Sequence, residues 1–191
     1  MSEGAAPGEE RGARDGEPTL PTLTCRLARG DGERAGYFAL RRSIFCDEQR
    51  LFQGDDRDPL DAEAFPIVCL LGDEAPRVVG VVRIWEERPG DWWGGRLGVA
   101  ISHRTAGAIG RRLIRTAVGT ARAWGAWRFR ATVQQANVPF FRRLRWRSLE
   151  ELTLFEQPHH LMEADLAAYP PVVETPPDGR TIRSFARDHA A

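Results

Sequence analysis

The segment RLGVAISHRTAGAIGRRL, residues 96–113, concentrates residue types that suit phosphate binding. A strand-like alternation ends in a short loop holding Gly107 and Gly110, after which Arg111 and Arg112 open a helical pattern. Glycines let a backbone approach a ligand closely. The unpaired N–H groups at a helix start, at the positive end of its dipole, bind phosphate oxygens. The segment lacks the GxGxxG spacing of a dinucleotide fingerprint and the GK[ST] of a P-loop, so neither of those sites is encoded here. Side chains able to take up a proton lie elsewhere: Glu86 and Glu87, Asp91, His103, and the pair His159-His160 after Pro158.

Charge is segregated although the total is neutral, with 27 basic and 27 acidic side chains. No Asp or Glu occurs from Trp92 through Leu149, while Arg recurs at 12 positions there. Between Asp47 and Glu63 the balance reverses. The layout suits a polyanion on one half and a cationic group on the other. There is no lysine, which excludes Schiff-base chemistry and a phosphate-binding P-loop lysine. Cys25, Cys46 and Cys69 form no CxxC and no Cys/His cluster, arguing against a disulfide framework or structural zinc and for a reducing compartment. No metal is expected. No apolar run approaches the roughly 20 residues that span a bilayer, and residues 1–18 lack the apolar core of a secretory signal. A cytoplasmic protein without membrane contact is the expectation.

The elements that must position these groups follow from periodicity. Residues 1–21 read as a disordered arm, 22–169 as one domain, and 170–191 as a Pro-rich tail that wraps or dangles. Strands are predicted at residues 23–27, 65–71, 78–85, 96–101, 127–133, 146–155 and 160–166. Helices are predicted at 33–49, 110–124 and 137–144. The stretch 87–95 reads as a loop in which Trp92 and Trp93 either anchor to the core or cover a ligand. The order β-α-β-β-β-α-β-α-β-β makes an α/β (α+β) mixed sheet.

With these elements in place, the chain resembles the GNAT superfamily, the N-acetyltransferases that use acetyl-CoA. Leu97-Gly98-Val99 and Arg104-Thr105-Ala106-Gly107 match that family's first motif, with the next small residue displaced by one position, from Ile109 to Gly110. WRFRATV, then Asn137, then PFFRRLRW match its second, with Phe141 at the usual tyrosine place. The segments VQQANVPFFRRLRW and PHHLMEADL are similar to a bacterial subfamily associated with nitrilase-type gene clusters. The resemblance spans about residues 23–166 and implies a mostly antiparallel sheet with a splayed strand pair. It also implies direct acetyl transfer from acetyl-CoA to a small-molecule amine.

On that resemblance, Leu97, Val99, Ile101 and Asn137 flank the pantetheine, while Arg104, Thr105, Ala106, Gly107, Ala108, Ile109, Gly110 and Arg111 cradle the pyrophosphate. Phe141 cannot supply the usual acid to the departing thiolate. Catalytic candidates are Glu86, favoured at a strand end beside the splayed pair, with His103 and His159. Acceptor-side candidates are Phe45, Glu48, Asp56, Asp58 and Trp93, the acidic ones either neutralising an ammonium or serving as turn residues. Two other readings stay open: an acyl-homoserine-lactone-synthase-like enzyme, suggested by Arg42-Ser-Ile-Phe45 before an Asp-rich loop, and a degenerate CoA-binding sensor or partner subunit. No nucleic-acid signature accompanies the arginines, so none is expected as a partner. Exposed Arg-bearing strands allow a homodimer.

Overall fold

The computed structural model describes residues 21–104, 107–177, 180 and 182–183. Strands β1 (Leu23–Leu27), β2 (Phe65–Leu71), β3 (Arg77–Arg88), β4 (Asp91–Val99), β5 (Arg128–Gln134), β6 (Trp146–Leu154) and β7 (Gln157–Ala164) form one sheet in the order β1-β2-β3-β4-β5-β7-β6. Every neighbouring pair is antiparallel except β4 and β5. Helix α1 (Gly30–Arg42) covers one face, and α2 (Ala108–Ala123) with the short α3 (Val138–Arg143) covers the other.

The two faces are packed differently. Leu113, Ala117, Val118 and Ala121 of α2 meet Val82, Ile84, Trp92 and Phe129 of the strands in the main core. That stripe follows the helical period read from the sequence, and large aromatic side chains fill the space between helix and sheet. Beneath α1 a smaller cluster holds Tyr37, Val68, Leu70 and Val81. The C-terminal stretch crosses α2, where Val172 N–H donates to Gly119 O and Trp124 Nε1 to Glu174 O.

Three departures from the sequence reading matter for the site. The expected loop 87–95 is largely strand: β3 and β4 form one long hairpin turning at Pro89-Gly90, and Trp92 is fully buried in the core. Burial of its ring between sheet and α2 overrides the turn propensity of the surrounding glycines. The first helix ends at Arg42 and continues as a π-helical turn, Ser43–Glu48. This wider winding fits Ile44 against Gly98 of β4, where a Cβ would lie 2.7 Å from the Ile44 side chain. Finally, Cys25 and Cys69 face each other across β1 and β2 and are joined as a disulfide, which the wide sequence spacing did not suggest.

β4 and β5 pair only from Asp91–Gly94 to Arg128–Ala131. At Gly94 they part. β4 runs on to Val99 along β3, kinked by a register shift and by Arg96 at φ 54, while β5 runs on beside β7. The split strand pair expected from the resemblance is therefore present.

Candidate active site

A cavity of about 330 Å³ occupies the split. Beyond Gly94 the β5-facing edge of β4 has no strand partner among the described residues, so its backbone N–H and C=O groups border the opening. An extended amide-containing ligand matches such an edge as an added strand would. On the α2 side the cavity is apolar, lined by Leu97, Ile114, Val118, Phe129, Phe141 and Trp146. On the α1 side it is lined by Phe45, Gln49, Phe52, Trp85, Arg96, Gln134, Phe155 and His159.

Sequence candidates divide between the cavity and elsewhere. Of the cofactor candidates Leu97, Asn137 and Phe141 line it, and of the remaining candidates Phe45 and His159 do. Gly107 opens α2 in the left-handed region at φ 66, and a Cβ there would stand 2.9 Å from the Phe140 ring. Ala108 and Arg111 are exposed in the first turn of α2, Gly110 is buried beneath Phe140, and Ile109 packs against Gly80 of β3. Thr105 and Ala106 lie outside the described residues. Ile101 is exposed in a short 3-10 turn, away from the cavity.

Val99 ends β4, and its carbonyl accepts from Arg104 Nε. Arg104 also donates twice to Glu48, at 2.6 and 2.7 Å, tying the π-helical turn to the approach to α2. The hydrogen bond from Arg104 holds the Glu48 carboxyl below the usual carboxylate range. Each of the two is thus occupied by the other.

Among the proton acceptors, Glu86 sits opposite Trp92, at the paired end of the hairpin and away from the split. It accepts from the backbone N–H of Gly90 and of Arg183, a bracing role. His103 shares a hydrogen bond with Ser102 outside the cavity. Trp93 stacks on Trp85 and carries Arg130 over its ring, and of these three only Trp85 reaches the cavity.

His159 is 93% buried by its 7% exposure, and its Nδ1 lies 2.9 Å from Gln157 O. A carbonyl only accepts, so this contact places the proton on Nδ1 and leaves the Nε2 lone pair free to take another. His160, on the other face of β7, is spent on Ser148 and Gln135.

The acidic loop does not border the cavity. Asp56 accepts from Arg41 Nε at 2.8 Å and Arg96 Nε at 3.0 Å, and Asp58 accepts from both Nη atoms of Arg83. Asp61 is held by Arg41 and Arg83. Burial pushes the Asp58 and Asp61 carboxyls up, but hydrogen bonds and charge from the arginines outweigh it and both titrate low. Three carboxylates balance three guanidinium groups, so Asp56 and Asp58 are structural counter-ions rather than hands for an ammonium group.

Several cavity residues carried no sequence signal as a group. Gln49 and Phe52 follow the π-helical turn, and Thr132 and Gln134 occupy the polar alternation of β5. Phe155 lies in a two-residue hairpin with Glu156, both at positive φ, where Phe-Glu lacks the Asn-Gly signature of such turns.

Comparison with known proteins agrees with this geometry. Similar folds occur in an acyl-CoA N-acyltransferase from Pseudomonas aeruginosa (18% identity, TM-score 0.63, 75% of this chain and 99% of the other). Escherichia coli ElaA is also similar (17%, 0.64, 76% and 100%). So is BjaI, a CoA-dependent acyl-homoserine lactone synthase solved with MTA (16%, 0.67, 87% and 98%). No curated protein sequence matches the chain. The model of the acetyltransferase (GNAT) family matches residues 36–145, more than half of the sequence, and the chain belongs to that family.

Proposed function

We propose that the protein transfers an acetyl group from acetyl-CoA to the amine of a small molecule, with His159 as the general base. The observation that carries this reading is the pairing of two features in one cavity: an unpaired strand edge and an imidazole with a free Nε2. The fit to acetyl-CoA rests on that edge and on the start of α2, where Gly107 at positive φ leads into exposed first-turn residues Ala108 and Arg111. Leu97 and Asn137 flank the thioester arm, and Gly107 with the first turn of α2 supports the phosphates.

Bound there, acetyl-CoA supplies an activated carbonyl carbon, to which the amine nitrogen bonds as the carbon–sulfur bond breaks. The β4 edge offers N–H donors to the carbonyl oxygen as it gains charge. His159 Nε2 takes the proton that the nitrogen loses. Phe141 has no proton to give and is packed edge-on against Trp146, so the departing thiolate leaves as such or is protonated from solvent. A thiol pKa of about 8.5 makes it a competent leaving group without help.

His159→Gln tests the assignment. The turnover number, followed by release of free CoA thiol, should fall by about 10²–10⁴, while acetyl-CoA affinity measured by calorimetry stays as in the wild type. Full turnover in the variant at every pH would remove His159 as the base.

A further inference from the structure

Resting on that reading, we infer that the acceptor amine also carries a carboxylate and an apolar or aromatic side chain, an α-amino acid in its simplest form, and that Arg96 holds the carboxylate. Among the described residues lining the cavity there is no Asp or Glu, and the ionisable ones are Arg83, Arg96 and His159. A polyamine would find no counter-charge on these walls. Asp56 and Asp58 are ion-paired with arginines and are not among the lining residues; Asp56 Oδ1, which has no hydrogen-bond partner among the described residues, is buried.

Arg96 is built to present part of its guanidinium. Its Nε donates to Asp56 Oδ2, and its Nη2 donates to Asp56 O and Asp58 Oδ2. These bonds fix the plane of the group. They leave the two N–H donors of Nη1 without an acceptor among the described residues, on a side chain that reaches the cavity. A guanidinium whose Nε and Nη2 hydrogens are taken keeps Nη1 oriented, and Nη1 can donate to a further carboxylate. Arg83 also reaches the cavity, but its Nη atoms are taken by Asp58 and Asp61 and its Nε–H is buried.

The apolar half of the acceptor has its own surface. The Phe52 ring lies 4.5 Å from the Arg96 guanidinium carbon and 5.4 Å from Phe155, with Phe45 and Trp85 completing the wall.

The test compares ligands that differ only in the carboxylate. Binding to the full chain in the presence of CoA is measured by calorimetry for N-acetyl-L-phenylalanine against N-acetylphenethylamine, and for N-acetyl-L-leucine against N-acetylisopentylamine. CoA release is measured with the four parent amines and with spermidine. At least one carboxylated product should bind about tenfold or more tighter than its partner, the gain from one charge-assisted pair. Arg96→Gln should abolish that ratio. Equal affinity within both pairs, or no binding by any of the four, overturns the inference, and the wild-type ratio decides it even if the variant fails to fold. Turnover of spermidine or phenethylamine as fast as of the amino acids would also overturn it while leaving acetyl transfer intact. Carboxylate-dependent binding without CoA release from any amine would instead uphold the Arg96 site and overturn the transfer reading.

Discussion

The two sides of the split are held by different physics. On the α2 side the cavity wall is made of backbone and packing: the free edge of β4 and an apolar stripe from α2 meeting Phe129 and Phe141. On the α1 side the wall is held by side-chain charge, with Arg41, Arg83 and Arg96 interleaved with Asp56, Asp58 and Asp61 beneath the π-helical turn. Backbone geometry is a general device for a ligand whose arm is itself a chain of amides. A charge lattice fixes the aim of one guanidinium, and on the proposed reading that guanidinium serves the half of the site that chooses the acceptor.

The sharpest way to break that contrast is at Arg41, whose side chain is fully buried and meets Asp56 and Asp61 at 2.8 and 2.5 Å. Arg41→Met leaves both carboxylates short of a partner inside the protein, at a cost of about 3 kcal/mol. The melting temperature should fall by roughly 6–12 °C, and acceptor discrimination should fall with it, whereas acetyl-CoA affinity in the folded fraction should hold. The same lattice shapes the acid limb of stability. Folded Asp58 and Asp61 titrate below their unfolded value of about 3.9, so their contribution is complete above that pH and is lost as pH falls through their folded values. Unfolding monitored by circular dichroism should therefore set in below about pH 4, and Arg41→Met should shift that limb upward.

The backbone-built side is tested at Gly107. Gly107→Val places a branched side chain at φ 66 against Phe140, a strain of about 1–3 kcal/mol. Acetyl-CoA should bind roughly tenfold or more weakly, with carboxylate discrimination among acceptors unaltered. Unchanged affinity would separate the glycine turn from the cofactor. The smallest effect is expected where the two sides touch. The Glu48–Arg104 pair is more than a third exposed on both partners, so Glu48→Gln should cost less than about 1 kcal/mol in a thermal melt.

What could be read from the sequence follows the same division. The bounds of β1 and β2 and the buried stripe of α2 match their periodicity, because alternation and the helical period report burial directly. The approach to α2 was legible from Gly107, since a glycine before a helix marks a backbone constraint. β4 was cut short at its start, because Gly90, Gly94 and Gly95 read as turn residues while Trp92 is in fact a core side chain. The acceptor wall was the least legible. Arg96 meets Asp56 across 40 residues and Arg83 meets Asp58 across 25, and no local pattern announces which arginine will claim which aspartate. Glu86 was misplaced for a related reason: its strand runs on to Arg88, which carries it to the closed end of the hairpin.

The most direct measurement of the central claim is a calorimetric titration of the full chain with acetyl-CoA. Saturable one-to-one binding is the predicted result, consistent with a cofactor arm lying along the free edge of β4. Heats no greater than dilution would contradict the account, leaving a GNAT-shaped protein whose cavity serves some other ligand.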